Sequence, residues 1–176
     1  MIKKMERVAL LVGKDFEDME VMYPYYRLIE AGYAVDVIGE EKAGTPYKGK
    51  YGYPMVSSLE ISKAKAKDYA GLVAPGGWAP DRLRRNPQVL KLVSDISRQG
   101  GVIASICHGP WILISAKVVQ GKKMTSTPAL TDDLVNAGAH WVNEEVVADG
   151  RMVTSRKPDD LPAFMRETLK LLKNKD

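Results

Sequence analysis

The chain has 176 residues, 45% of them hydrophobic and 27% charged. It is long enough to bury a substantial core and has the make-up of a globular protein. Its 26 basic and 22 acidic residues leave a net charge of +4. The basic residues are scattered apart from a small cluster at Lys170, Lys173 and Lys175, so neither nucleic-acid binding nor a strongly charged partner is expected. No apolar run approaches the ~18 residues of a membrane span, and one cysteine excludes a disulfide framework and makes a cysteine-based structural zinc site unexpected.

In chain order, Met1 to Glu6 runs into the first strand without an apolar leader, which suggests a cytoplasmic protein. Val8-Ala9-Leu10-Leu11-Val12 is a continuous apolar run, as a central strand covered on both faces requires. Gly13 ends it. Asp15 to Asp18 supplies acids suited to a helix start, and a helix through Met19, Met22, Tyr26 and Ile29 to Gly32 follows, with Pro24 expected to kink or interrupt it. Tyr33 to Ile38 is a second strand. Ala43 to Tyr53 reads as loop plus small hairpin, and Leu59 to Lys67 as a weak surface segment.

Gly71 to Ala74 is a third strand, stopped by Pro75-Gly76-Gly77. Asn86-Pro87 is an N-cap followed by proline at the first helical position, opening a helix that buries Val89, Leu90, Val93 and Ile96 and ends near Gly100. Val102-Ile103-Ala104 is the next strand. Beyond it, Lys122 to Ser126 has strand character and Thr131 to Ala137 forms a short helix capped by Gly138. Asp149-Gly150 joins a hairpin between Glu145–Ala148 and Met152–Ser155. Asp159 to Lys173 closes the chain as an amphipathic helix. Alternating strands and helices without repeat or linker predict a single domain over residues 1–176. Its fold is a three-layer α/β sandwich, a mostly parallel sheet with helices on both faces.

In such sheets sites form beyond the C-terminal strand ends. Three loops lie there: Asp15–Asp18, Pro75–Asp81 and Cys107–Pro110. Cys107 stands between an apolar strand and the Gly109-Pro110 helix start, the arrangement of a nucleophile elbow with cysteine in place of serine. The helix start favours the thiolate, so a depressed thiol pKa is expected. The alternative is a buried structural cysteine. His108 is the base nearest in sequence; adjacent side chains normally diverge, so a productive pair needs a strained turn. His140, beside Trp141 in what reads as a surface turn, is the other base candidate and reads as structural. Gly76, Gly77 and the His108 backbone N–H are candidate oxyanion donors. Glu17 or Asp18 could share a proton with Cys107 or merely stabilise the helix start, and Asp81 could orient His108 or pair with Arg82, Arg84 or Arg85.

The segments Phe16-Glu17-Asp18-Met19-Glu20, Tyr23-Pro24-Tyr25, Pro75 to Asp81, Ala104 to Pro110, Asn136-Ala137-Gly138 and Ser155-Arg156 together resemble the PfpI-type intracellular protease branch of the ThiJ/PfpI superfamily. The resemblance spans nearly the whole length and implies a flavodoxin-like, class I glutamine amidotransferase-like fold. It implies Cys107 as nucleophile, His108 as its partner and Glu17 as the carboxyl on the sulfur. Asp81, supplied across an interface of a homo-oligomer (dimer or hexamer), would be the acid on His108. Aspartate stands where relatives commonly carry glutamate, and Thr127 stands where peptidase-type members often carry tyrosine. Peptidase, glyoxalase, deglycase and redox-sensing activities all occur in the superfamily. The expected substrate is a peptide or small reactive carbonyl compound, with no cofactor, no metal, no nucleic acid and no membrane. A non-catalytic redox sensor or chaperone using Cys107 is the alternative.

Overall fold

In a computed structural model, residues 5–174 are described; Lys175 of the basic cluster and most of the N-terminal hexapeptide lie outside them. The strands are β1 (Arg7–Leu11), β2 (Ala34–Gly39), β3 (Pro46–Lys48), β4 (Pro54–Val56), β5 (Leu59–Glu60), β6 (Gly71–Ala74), β7 (Val102–Ile106), β8 (Lys123–Met124), β9 (His140–Trp141), β10 (Val146–Asp149) and β11 (Met152–Ser155). The α-helices are α1 (Asp18–Glu30), α2 (Ala79–Leu83), α3 (Pro87–Arg98), α4 (Pro110–Ser115), α5 (Thr131–Asn136) and α6 (Leu161–Lys173).

Seven strands form the main sheet in the order β10-β11-β7-β6-β1-β2-β5. All neighbours pair parallel except the β10–β11 hairpin. The apolar runs explain the centre: Val8, Ala9, Leu10 and Leu11 in β1 and all five residues of β7 are buried, because helices cover both faces. One layer brings α1 against α6; the other brings α2 and α3 against α4. From β1 the chain proceeds to β2 on one side and returns through β6, β7 and β11 on the other. The order therefore reverses between β1 and β6, and a crevice opens at the C-terminal ends of such strands. Three of those ends, from β1, β6 and β7, lie side by side.

Most elements fall where the sequence puts them. Asn86 caps α3, its side chain accepting the Gln88 N–H at 2.9 Å, and Ala43–Tyr53 contains the β3–β4 hairpin. Two expectations, for Pro24 and His140, need correction. Helix α1 passes through Pro24 without interruption; Pro24 falls at its seventh position, where the missing N–H costs one hydrogen bond without ending the helix. The apolar stripe Met19, Tyr26 and Ile29 faces outward, at 53%, 58% and 46% exposure. The buried stripe is instead Glu20, Val21, Pro24 and Leu28. His140 lies in β9, paired parallel with β8, rather than in a surface turn.

Candidate active site

Cys107 follows the last residue of β7, and its backbone is left-handed, φ 61°. A non-glycine residue there is uncommon and needs outside support. Support comes from both sides of the turn. The Cys107 N–H donates to the Ser155 carbonyl at the end of β11 (3.1 Å), and its own carbonyl accepts from Thr127 N–H (3.2 Å). This sharp turn solves the problem of adjacent side chains: Cys107 Sγ and His108 Nδ1 come to 3.2 Å. The predicted pair is therefore made.

The carboxyl beside the thiol is Glu20, not Glu17. Glu20 is fully buried. Its Oε2 accepts the Gly76 N–H at 2.7 Å. Its Oε1 is buried without a hydrogen-bond partner among the described residues. Burial raises the Glu20 pKa to about 8, against the opposing bond from Gly76. The carboxyl is therefore protonated at neutral pH, and its proton needs an acceptor. The Cys107 sulfur, which interacts with this same carboxyl, is the acceptor at hand.

Glu17 lies one helical turn earlier and pairs with Lys50 across 3.3 Å. The distinction is one of helix phase. Glu20 shares a row with Pro24 and Leu28, which packs onto the sheet, whereas Glu17 is the residue before the first turn. Asp18 serves a third purpose. Its carboxylate accepts the backbone N–H groups of Tyr51 (2.9 Å) and Tyr53 (2.8 Å), fastening the loop that carries Lys50.

The expected low thiol pKa also needs correction. Burial comes first, then the charge of Glu20, and together they push the Cys107 thiol up to about 12; the backbone N–H groups of Gly77 and His108 oppose this. A thiolate facing an ionised Glu20 is costly, while a thiolate facing the neutral acid gains a donor. Both groups accordingly keep their protons at neutral pH, and the thiol's proton needs a base, for which the neutral His108 imidazole at 3.2 Å is placed. His108 is shifted down by burial and by Lys50, so its imidazole is neutral and basic.

Gly77 and His108 direct their backbone N–H groups at the sulfur, and these two fit the oxyanion role. Gly76 does not act as a free donor, since Glu20 takes its N–H. Its function is room: a Cβ there would lie 2.6 Å from Glu20 Oε2, 2.8 Å from Cys107 Cβ and 2.9 Å from His108 N. Gly77 has φ 77° and forms a bridge to Phe16, tying the β6 loop to the β1 loop. Asp81 sits on α2 with its carboxylate on Arg85. It does not meet His108 within one chain. Thr127 contributes its N–H to the elbow rather than a side chain. Among the described residues no cluster of His, Cys, Asp and Glu is arranged to hold a metal.

Two groups went unmarked in the sequence. Lys50 arrives from the hairpin loop and acts electrostatically on both Glu20 and His108. Trp111 stands beside the His108 ring, centroids 5.1 Å apart. The fold signal for Trp111 is its place at the second position of α4, two residues past the elbow's Gly109; Lys50 has no comparable local signal.

A cysteine at positive φ between a central strand and a helix, with a buried protonated carboxyl at its sulfur, defines an α/β protein of the nucleophile-elbow class. Residues 6–171 match the DJ-1/PfpI family pattern, and the chain belongs to that family. It is 47% identical over 167 residues to a protein named a deglycase in Pyrococcus horikoshii, covering 95% of this chain and 99% of that one. It is 40% identical over 169 residues to protein/nucleic acid deglycase 2 of Escherichia coli, covering 95% and 98%. Among solved structures it resembles Drosophila melanogaster DJ-1beta, with TM-score 0.89 and 28% identity over 97% of this chain and 92% of the other. These likenesses agree with the expected mostly parallel, flavodoxin-like sandwich.

Proposed function

We propose that the chain is a cysteine-dependent deglycase or glyoxalase that attacks reactive carbonyl adducts at Cys107. The observation that carries this reading is the left-handed Cys107 elbow with the buried acid Glu20 at its sulfur, two N–H donors there and a neutral imidazole 3.2 Å away. The names of two relatives as deglycases support it.

For methylglyoxal, His108 takes the thiol proton as the sulfur attacks the aldehyde carbon. The carbonyl π electrons move to oxygen, which the Gly77 and His108 N–H groups stabilise and which takes the Glu20 proton, while His108 passes the thiol's proton back to Glu20, giving a hemithioacetal and a neutral imidazole. His108 then removes the hydrogen on that carbon, and the proton returns to the neighbouring ketone carbon through an enediol. The product is a lactoyl thioester. Water cleaves it to lactate and regenerates the thiol, so the net change is addition of one water with internal oxidation and reduction. For an aminocarbinol adduct, the C–S bond forms as the C–N bond breaks, and the amine leaves with a proton from Glu20. A peptidase would use the same thiolate and donors on an amide.

Asp81 enters this proposal from a second subunit. Among the described residues of one chain, His108 has Cys107 as its hydrogen-bonding side chain and no carboxylate. The outward apolar face of α1, with Met19, Tyr26 and Ile29 exposed together, supports a homo-oligomer, because contiguous exposed apolar residues mark contact surfaces. The work would take place in the cytoplasm; no helix among the described residues is long and apolar enough to cross a membrane.

Turnover of methylglyoxal, of a methylglyoxal-treated amine and of a fluorogenic peptide is the direct test, with wild type, Cys107→Ala and Glu20→Gln. Cys107-dependent turnover of the carbonyl substrates is expected. Peptide cleavage alone would replace the reading with a peptidase; turnover of nothing would favour a redox sensor or chaperone built on the same thiol.

A further inference from the structure

We infer that Trp78 and Trp111 are specificity-determining residues that select adducts carried on a planar, π-faced group over adducts on an aliphatic amine or thiol. The inference rests on the deglycase reading and says which carriers that site prefers.

The two indoles flank the His108 ring. Trp78 lies 5.7 Å from it between centroids, tilted by 45°, and Trp111 lies 5.1 Å from it, tilted by 59°. His108 in turn touches the Cys107 sulfur. A substrate carbon bonded to that sulfur therefore has its carrier group emerging along an aromatic wall.

The two tryptophans are held differently. Trp111 is fixed: its indole N–H donates to Asp133 at 2.8 Å, and the Arg84 guanidinium sits 5.7 Å over its ring. Trp78 is fixed only through its backbone, whose N–H donates to the Asp15 carbonyl at 2.8 Å. The residue is 56% exposed. An indole held open to water beside a nucleophile costs hydration and offers a stacking face.

The Arg84–Trp111 contact displays, inside the molecule, how a planar guanidinium meets this wall. Two carriers share that chemistry: the guanidino group of arginine and the guanine ring, whose amino edge is a cyclic guanidine. Lysine and cysteine carriers have no π face to offer. Stacking of a base on an aromatic side chain makes a preference of about tenfold the expected scale.

The test is steady-state kinetics on methylglyoxal adducts of guanosine, N-acetylarginine, N-acetyllysine and N-acetylcysteine. Wild type should favour the first two. In Trp78→Ala the ratio of kcat/KM for planar over aliphatic carriers should fall about tenfold, the change lying in KM, and Trp78→Phe should restore most of it. Loss confined to guanosine identifies base stacking as the source, and loss confined to arginine identifies the cation–π contact. An equal loss on all four adducts, or a wild type without preference, overturns the inference.

Binding supplies a readout independent of turnover. Cys107→Ser protein titrated with guanosine and with N-acetylargininamide should show saturable quenching of tryptophan emission that disappears in Trp78→Ala. Absence of quenching, including through cover of Trp78 by another subunit, overturns the aromatic wall even if all four adducts are turned over. Saturable binding with no turnover of any adduct overturns the deglycase reading and supports the wall.

Discussion

Glu20→Gln should remove a pH dependence built into the fold. In the folded chain the Glu20 pKa is raised to about 8 from an ordinary 4.5, chiefly by burial. Folding therefore favours the protonated acid. That contribution is fully present below pH 4.5, declines as the unfolded chain releases its proton while the folded one keeps it, and is gone above pH 8. A separation of roughly 3.5 units at about 1.36 kcal/mol each gives an upper bound of about 5 kcal/mol. Relaxation around the carboxylate and the neighbouring Cys107 proton lower it from that bound. Glutamine copies the neutral acid in shape: its oxygen can accept the Gly76 N–H while its NH₂ faces the sulfur. The variant should then match wild type near pH 5 and exceed it increasingly towards pH 9. Urea unfolding at unit pH intervals reads the difference directly. Parallel stability curves for the two proteins from pH 5 to 9 would refute the buried protonated acid. Activity should move the opposite way, because glutamine cannot deliver a proton, with kcat falling by about a hundredfold.

Gly76→Ala should inactivate the enzyme and destabilise it by about 1–3 kcal/mol, since the new methyl meets Glu20, Cys107 and the His108 backbone within 2.9 Å; thermal unfolding together with turnover checks this. Glu17→Ala should leave peroxide oxidation of Cys107 far closer to wild type than Glu20→Ala does, as followed by intact-protein mass spectrometry, because Glu17 pairs with Lys50. Mixed oligomers reassembled from Cys107→Ala and Asp81→Ala subunits should regain activity that neither has alone; full activity of Asp81→Ala by itself would remove Asp81 from the mechanism.

The elements that the sequence makes legible are those whose signals are local. The β1 and β7 runs, the Asn86-Pro87 helix start and the Asp149-Gly150 hairpin all carry their geometry in a few adjacent residues. The elbow is legible for the same reason: glycine and proline follow the cysteine immediately. What fails is phase. Helix α1 offers two stripes, and hydrophobicity favours Met19, Tyr26 and Ile29, which face outward. A glutamate on the other stripe looks like surface until the sheet is in place beneath it. Glu17 rests on the family resemblance and on its place after the first strand, and only the packed helix shows that the carboxyl turned to the sheet is Glu20, three residues on. Lys50 is illegible for a different cause: Asp18 draws it in from a hairpin 32 residues further along, through two backbone bonds that no local pattern announces.

The bridge between Phe16 and Gly77, and the Ser155 carbonyl under Cys107, mean that the thiol's surroundings are contributed by strand ends distant in the chain. Until β1, β6, β7 and β11 are docked there is no buried acid at the sulfur and no pair of amides aimed at it. A nascent or heat-loosened chain therefore carries an ordinary cysteine, titrating near 8.5 as free thiols do. Its chemistry switches on with the last stage of tertiary assembly. The lone thiol is thus a built-in gauge of foldedness, and the pH at which it is alkylated separates assembled molecules from incomplete ones in a mixed population.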